Sequence, residues 1–155
     1  MKRFFALTLL ACTAALTACQ SGPLDISSIA ASRMSDEERV AAVLDDVQRG
    51  LHAHRIYKVL AHVSRSYFDS QGRDYAALQA LLTSAFEKYA EITVKRVRPR
   101  IVVTDGRAQA FETFALSAEP TEPAVDPPIE WHGRVTIYLE LVGNAWKIVE
   151  VGPIH

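Results

Sequence analysis

Cysteine is scarce in this 155-residue sequence, and the two that occur, Cys12 and Cys19, both lie within the first twenty residues. The rest of the chain therefore has no disulfide framework. The sequence also lacks a phosphate-binding glycine loop, a G-x-S-x-G nucleophile elbow and the ligand spacing of a zinc site. Its formal net charge is −1, and no aromatic-studded basic stripe occurs. We expect no metal, no cofactor and no nucleic-acid partner.

An apolar run at the amino terminus predicts an export signal. The run, residues 4–16, follows two basic residues, suits the core of a signal peptide and is too short to span a bilayer. It closes with the sequence Leu-Thr-Ala-Cys at positions 16–19, which resembles the bacterial lipoprotein signal. In that family the chain is cut before the cysteine, which is then acylated. The alternative is an ordinary secretory signal that happens to end in cysteine.

The lipoprotein resemblance implies where in the cell the protein is located. It implies a signal peptide at residues 1–18, acylation of Cys19 and a lipidated tether at residues 19–34, which are rich in Ser, Ala and Gly. Several acyl chains on one residue give stable anchoring, whereas one chain alone is marginal. The partner is then a membrane, with the protein facing the periplasm of a bacterial envelope. Gln20 after the cysteine favours the outer membrane, by resemblance to enterobacterial sorting.

The middle of the chain predicts three helices. Ser35 and Glu38 form a capping box for the first, the second lies around residues 56–63, and Asp74 caps the third. Apolar residues recur at helical spacing in the first helix, at Val40, Val43, Leu44, Val47 and Leu51. The predicted apolar face of the third helix consists of Tyr75, Leu78, Leu81, Leu82, Ala85, Phe86 and Tyr89.

Two β-hairpins follow, each marked by a turn dipeptide. Asp105-Gly106 pairs Thr104 with Arg107, and Gly143-Asn144 pairs Val142 with Ala145. Alternation from the first turn predicts an inward face of Val97, Ile101, Val103, Ala108, Ala110, Phe114 and Leu116. The same register turns Arg96, Arg98 and Arg100 outward as a solvated basic ladder. The alternative is a surface that binds anionic lipid or an acidic partner. Between the hairpins, the proline-rich segment 119–128 predicts a surface loop that cannot pair as a strand.

The order of elements over roughly residues 36–152 resembles the nuclear transport factor 2-like superfamily. In that order, three helices precede an antiparallel sheet whose last hairpin contains Trp146. That group includes ketosteroid isomerase and polyketide cyclases. The resemblance implies an α+β domain at residues 35–155, with three N-terminal helices packed on a curved antiparallel sheet as a cone-shaped, cystatin-like roll. The concave face of such a sheet often lines a pocket. The candidate lining residues are Phe114, Trp131, Leu139 and Trp146.

Three carboxylates are candidates for chemistry in such a pocket. Asp69 falls near the general base of ketosteroid isomerase, but the tyrosine that donates to the oxyanion there falls near Val47, which cannot donate. Glu112 and Glu150 fall on the apolar faces of their hairpins, where a carboxyl group has a raised pKa unless it is paired. Alternatively, each acid lies at a strand end or a bulge, where a slipped register brings it to water or an arginine. Pro99, opposite Glu112, favours such a bulge there. No residue is assigned as catalytic.

These observations leave three functional hypotheses. The first is an anchored envelope lipoprotein whose cone binds a small apolar ligand or a protein partner without catalysis. The second is an enzyme of isomerase, cyclase or dehydratase type that uses Asp69, Glu112 or Glu150. The third is a structural homodimer that buries the outer-face residues Tyr138 and Phe111.

Overall fold

The computed structural model describes residues 34–155 of the chain. The predicted signal peptide, Cys19 and all of the predicted tether except Met34 lie outside the described residues, so acylation stays a prediction. Within residues 34–155, no helix has both the length and the apolar character needed to cross a membrane.

Three helices precede five strands. The helices are α1 (Asp36–His52), α2 (Ile56–Leu60) and α3 (Tyr75–Lys88), and the strands are β1 (Tyr89–Arg96), β2 (Arg100–Thr104), β3 (Arg107–Pro120), β4 (Ile129–Val142) and β5 (Ala145–Val151). Both β1 and β2 pair with β3, and β4 and β5 follow it in one antiparallel sheet. The sheet is strongly curled, so the predicted α+β fold class is confirmed.

Side-chain caps fix where the two longer helices begin. The Ser35 hydroxyl accepts a hydrogen bond from the Glu38 N–H at 3.2 Å, and the Ser35 N–H donates to the Glu38 carboxylate at 2.8 Å. The Asp74 carboxylate accepts from the Ala77 N–H at 2.8 Å. These bonds satisfy amides that have no partner inside the helix. The predicted capping box and the predicted Asp74 cap are confirmed.

The core forms where α1 packs on the inner face of the sheet. Its buried residues are Val40, Leu44, Val63, Tyr67, Ala108, Ala110, Leu139, Trp146 and Ile148. Trp146 is 2% exposed, and its indole N–H donates to the Asp36 carboxylate at 3.3 Å. The predicted closing hairpin is confirmed, since Val142 pairs with Ala145 and Leu139 with Ile148. Gly143 takes the left-handed conformation, with φ of 60°, that this turn requires.

A one-residue bulge in β5 changes the face of Glu150. Leu139 pairs with Ile148, but its neighbour Tyr138 pairs with Glu150, so Val149 is an extra residue. A single extra residue reverses the alternation beyond it. Glu150 is therefore exposed beside Tyr138 on the outer face, and the predicted inward position is wrong.

A second bulge reverses the faces at the end of β1. Arg96 pairs with Phe114 and Arg100 pairs with Phe111, so three residues of the β1–β2 connection lie opposite two residues of β3. The Arg96 side chain consequently faces inward and is 8% exposed, whereas Val97 is 65% exposed. The predicted outward Arg96 and inward Val97 are both wrong, because Pro99 lies in a connection that is one residue too long for simple pairing.

Two predicted boundaries also shift. The strand β3 continues to Pro120, which pairs with Tyr89, so the predicted loop begins two residues too early. Proline is accommodated at this end of the strand because no further ladder bond needs its missing N–H.

The third helix is shorter and less buried than predicted. Tyr89 belongs to β1 rather than to this helix, and Leu81 is exposed rather than part of a buried face. None of the residues of α3 is fully buried.

Candidate functional site

Part of the inner face of the sheet is open. Alternation along β3 and β4 points Phe114, Leu116 and Trp131 to the same side as the core residue Leu139. Trp131 is nevertheless 50% exposed, and its ring meets that of Phe114 edge-on with the centroids 6.4 Å apart. We call Phe114 and Trp131 the aromatic pair.

The four residues predicted to line one pocket therefore divide into two groups. Leu139 and Trp146 are buried in the core under α1. The aromatic pair lies further along the inner face, where it remains accessible. Of these four residues, only the aromatic pair is open to a ligand, and an exposed tryptophan at an inward position is a candidate binding surface.

A polar cluster with a buried arginine and a buried acid lies on the same inner face. It consists of Asp45 and Gln48 on α1, Arg96 on β1 and Glu112 on β3, and we call it the Arg96 cluster. The Arg96 Nε donates to the Gln48 side-chain oxygen at 2.7 Å, and its two terminal nitrogens donate to Glu112 and Asp45. Gln48 in turn donates to the Val94 carbonyl at 2.6 Å. The cluster ties α1 to the sheet.

Glu112 is an acid whose charged form is disfavoured by burial. It keeps the inward position predicted for it and is buried. Burial raises the pKa of its carboxyl group, Arg96 opposes that rise, and the negative charge of Asp45 adds to it, so the pKa is raised overall. The alternative prediction is confirmed here, since a bulge in the connection that contains Pro99, opposite Glu112, brings Arg96 to the acid.

Asp69 is buried and bonded on both of its carboxylate oxygens. One oxygen accepts from the N–H groups of Gln71 and Arg73, each at 2.9 Å. The other accepts from the Arg73 Nε at 2.7 Å and from the Tyr67 hydroxyl at 3.3 Å. Burial alone would raise the pKa of Asp69, but these hydrogen bonds outweigh it and the pKa is lowered. This carboxylate closes the loop before α3 and has no oxygen left for a substrate proton.

Tyr67 shares the environment of Asp69. Burial raises the pKa of its hydroxyl, and the neighbouring Asp69 charge raises it further. The hydroxyl therefore stays protonated, and its hydrogen is directed at Asp69. It is not a free donor for a ligand.

The three candidate acids do not converge on one point. Asp69 lies in the loop before α3, Glu112 in the Arg96 cluster and Glu150 on the outer face. Among residues 34–155, no group of three or more His, Cys, Asp or Glu side chains is placed to hold a metal ion.

The sequence did not reveal two features of this region. The first is the Arg96 cluster, and the proline at position 99 inside a strand pattern was the only signal for the bulge that forms it. The second is His54, which has a left-handed φ of 51° and stacks on Phe86 with ring centroids 4.9 Å apart. Its Nε2 atom is buried and has no hydrogen-bond partner within residues 34–155. No sequence pattern signals either the conformation or the stack.

Comparison with known proteins identifies the fold. No family model matches the sequence, and no curated protein matches it. Solved structures do match. A nuclear transport factor 2-like superfamily protein from Salmonella enterica superimposes with a TM-score of 0.62 at 15% identity, over 75% of this chain and 87% of that chain. The described domain thus has the nuclear transport factor 2-like fold that the sequence resemblance implied.

Two further structural neighbours carry enzyme names. A candidate scytalone dehydratase from Novosphingobium aromaticivorans gives a TM-score of 0.68 at 11% identity, over 84% of this chain and 87% of that chain. A hexachlorocyclohexane dehydrochlorinase gives 0.64 at 10% identity, over 84% of this chain and 89% of that chain. At such identities the likeness shows the fold alone.

Proposed function

We propose that this protein is an envelope lipoprotein, anchored through acylated Cys19, whose domain binds a small apolar ligand at the aromatic pair without catalysis. The signal peptide is residues 1–18, the tether is residues 19–34, and the domain faces the periplasm from the outer membrane. The observation that carries the binding role is the exposure of Trp131 on an inward-facing strand position. The lipoprotein motif at positions 16–19 supports the anchor.

The aromatic pair offers a surface suited to a flat or ring-bearing apolar molecule. The ring of Trp131 is accessible, and Phe114 braces it edge-on, so its orientation is fixed before a ligand arrives. Covering the exposed half of one tryptophan contributes about 1–2 kcal/mol of apolar transfer free energy. A ligand stacked on the ring adds about 1 kcal/mol more.

The state of the three acids supports a role without catalysis. A general base needs a free lone pair within reach of a substrate proton, and acyl or enol chemistry needs donors aimed at the developing oxyanion. Asp69 is saturated by hydrogen bonds, Glu150 points to the outer face, and Glu112 is paired with Arg96. Val47 stands near the position of the oxyanion donor in ketosteroid isomerase and cannot donate.

Nile red, a neutral apolar fluorophore, tests the binding surface. We expect a fragment of residues 34–155 to bind Nile red with a blue-shifted emission, and Trp131→Ala to weaken binding by about tenfold. The matched control is Phe68→Ala, which removes another exposed aromatic ring that lies in the loop before α3 and outside both β3 and β4. Equal binding by wild type and Trp131→Ala would contradict the proposed site.

A second candidate is an enzyme that eliminates water or halide, and one observation favours it. Glu112 is a buried acid with a raised pKa, and it lies two residues from Phe114 on the same face of β3. Two structural neighbours are named as a dehydratase and a dehydrochlorinase. If this candidate were right, a molecule bound by wild type would lose water or halide on incubation, and Glu112→Gln would retain it unchanged.

A further inference from the structure

A groove elsewhere on the domain shares no residue with the aromatic pair or the Arg96 cluster. This groove, of about 680 Å³, lies between α2, the first turns of α3 and the β4–β5 turn. Its apolar walls come from Ile56, Tyr57, Leu60, Val63 and Val142. Its volume falls within the range of sites that bind small molecules.

Large apolar side chains are exposed at this groove. Tyr57 is 66% exposed and Val142 is 55% exposed, and they stand on different elements that both line the groove. Exposed apolar residues that converge on a concave surface mark a binding site more often than scattered ones do. An apolar chain lying between them would be shielded from water on both sides.

Two cations line the same groove. The Arg65 guanidinium lies 4.2 Å from the centroid of the Tyr75 ring, and the Lys147 ammonium donates to the carbonyl of Ala61 at the end of α2. Among the residues that the structure describes, 34–155, no acidic side chain lines the groove. Within residues 34–155 neither cation forms an ion pair, and Glu140, the cross-strand partner of Lys147, lies against Arg107 at 3.5 Å.

Both cations have donors to spare, in orientations that the structure fixes. A guanidinium stacked on a ring keeps its N–H groups at the edge of its plane, where a carboxylate binds through two parallel bonds. An ammonium that gives one hydrogen to a carbonyl retains two more. The groove therefore combines apolar walls with two cations that form no ion pair among the described residues.

We propose that this groove binds an amphiphile with a single carboxylate and an apolar chain, such as a long-chain fatty acid. The carboxylate lies between Arg65 and Lys147, and the chain lies along Tyr57, Leu60 and Val142. Two cations at one groove suit one acidic group, whereas recognition of an anionic bilayer surface uses clusters of four to eight basic residues. The inference does not depend on the ligand proposed for the aromatic pair.

Photocrosslinking of the full-length lipoprotein in lipid nanodiscs tests the proposal. The probe is a palmitic acid analogue with a diazirine on its chain, compared with the alcohol and the trimethylammonium of the same chain. We expect the carboxylate to label peptides that contain Tyr57 or Val142, and the alcohol and the cation to label them several-fold less. Arg65→Gln and Lys147→Gln should each reduce labelling by about three- to tenfold.

Arg100→Gln is the matched control, because Arg100 also lies over an aromatic ring, Phe111 at 4.1 Å, but does not line the groove. Its labelling should equal that of wild type. Equal labelling by the three head groups, or label confined to peptides with Phe114 and Trp131, would overturn the proposal. Labelling that requires anionic lipid in the nanodisc would also overturn it, since the source would then be the bilayer surface. Nile red binding at Trp131 is expected to persist in both groove variants. The two proposed sites can therefore be tested independently of each other.

Discussion

At the scale of single residues, the Arg96 cluster has testable consequences for stability and for its dependence on pH. Arg96 is 8% exposed and Glu112 7% exposed, so the two charges are almost removed from water. A buried pair contributes little beyond two well-packed apolar residues, but removing one partner leaves an uncompensated charge. The cost of losing Arg96 should therefore greatly exceed the net contribution of the pair.

We predict that Arg96→Met lowers the free energy of unfolding of the 34–155 fragment by about 3–5 kcal/mol. The reason is that Glu112 would remain buried without its guanidinium partner, and Gln48 and Asp45 would lose theirs as well. Urea unfolding followed by circular dichroism measures the change.

Two further variants separate charge from packing in this experiment. Lys95→Met changes an exposed neighbour on the same strand and should alter stability by less than about 0.5 kcal/mol. The double variant Arg96→Met with Glu112→Met should recover most of the loss. If the double variant is as unstable as Arg96→Met alone, the uncompensated charge of Glu112 is not the cause.

The pH dependence of stability follows from the direction of the Glu112 shift. The folded chain raises the pKa of Glu112 above its ordinary value of 4.5, so the folded state holds this proton to a higher pH than the unfolded state does. The stabilisation from Glu112 is thus complete below that ordinary value and is lost as the pH rises through the folded pKa. We predict that Glu112→Gln removes this decline, because glutamine stays neutral and still accepts from Arg96.

Urea unfolding of the two proteins between pH 4 and pH 8 measures this difference. The gap between the two curves should change with pH above the ordinary pKa of the carboxyl group and then level off. Parallel curves across the whole range would show that Glu112 does not titrate differently in the folded chain.

Asp69 has the opposite effect on stability, because its pKa is lowered in the folded chain. Its stabilisation is present above the ordinary pKa of the carboxyl group and is lost as the pH falls through the folded pKa.

At the scale of elements, the junction of α1 and α2 depends on a glycine. A Cβ atom on Gly50 would lie 2.8 Å from a methyl carbon of Val59 and 3.3 Å from its backbone nitrogen. Val59 is buried and β-branched, so it cannot rotate away easily. The close approach of the two helices therefore excludes even one methyl group at position 50.

We predict that Gly50→Ala destabilises the domain by about 1–2 kcal/mol, although alanine is the better helix former by about 1 kcal/mol. The overlap with Val59 outweighs that preference. Thermal and urea unfolding measure the effect. In the background of Val59→Ala the same change should become neutral or stabilising, and a loss that persists there would mean that the crossing of the helices is not what requires glycine.

The sequence predicted those elements whose signals are local. The capping box at Ser35 and the turn at Gly143-Asn144 each involve residues within a few positions of one another, and both are present as predicted. Faces were predicted only as far as the next bulge, since one extra residue at Val149 or near Pro99 reverses every face beyond it. The Arg96 cluster could not be predicted, because it requires that reversal together with the docking of α1.

At the scale of the whole molecule, the inner face of the sheet divides into a closed region and an open region. Under α1 it is closed by Leu139 and Trp146 and supplies the core. Further along β3 and β4 it carries an exposed tryptophan, and α3 contributes no fully buried residue over the domain. The fold thus supplies stability at one part and leaves the proposed binding surface exposed at the other, which is why the fold was predictable and the ligand was not.

The anchor and the ligand together make the central claim, and one measurement addresses both. Native mass spectrometry of the protein extracted from bacterial membranes reports the covalent mass of the chain and any molecule that it retains. We predict a chain of residues 19–155 bearing acyl groups, with a small molecule that dissociates on activation. Cys19→Ala should remove the acyl mass, along with palmitate labelling and membrane fractionation.

The site that holds the retained molecule is assigned by comparing the native mass spectra of two variants. Trp131→Ala should lose a ligand held at the aromatic pair, and Lys147→Gln should lose one held in the groove. An acylated chain with a small molecule that disappears in Trp131→Ala is the result that the proposed function predicts. A chain without acyl groups, or a wild-type chain that carries the same masses as Trp131→Ala in every preparation, would contradict it.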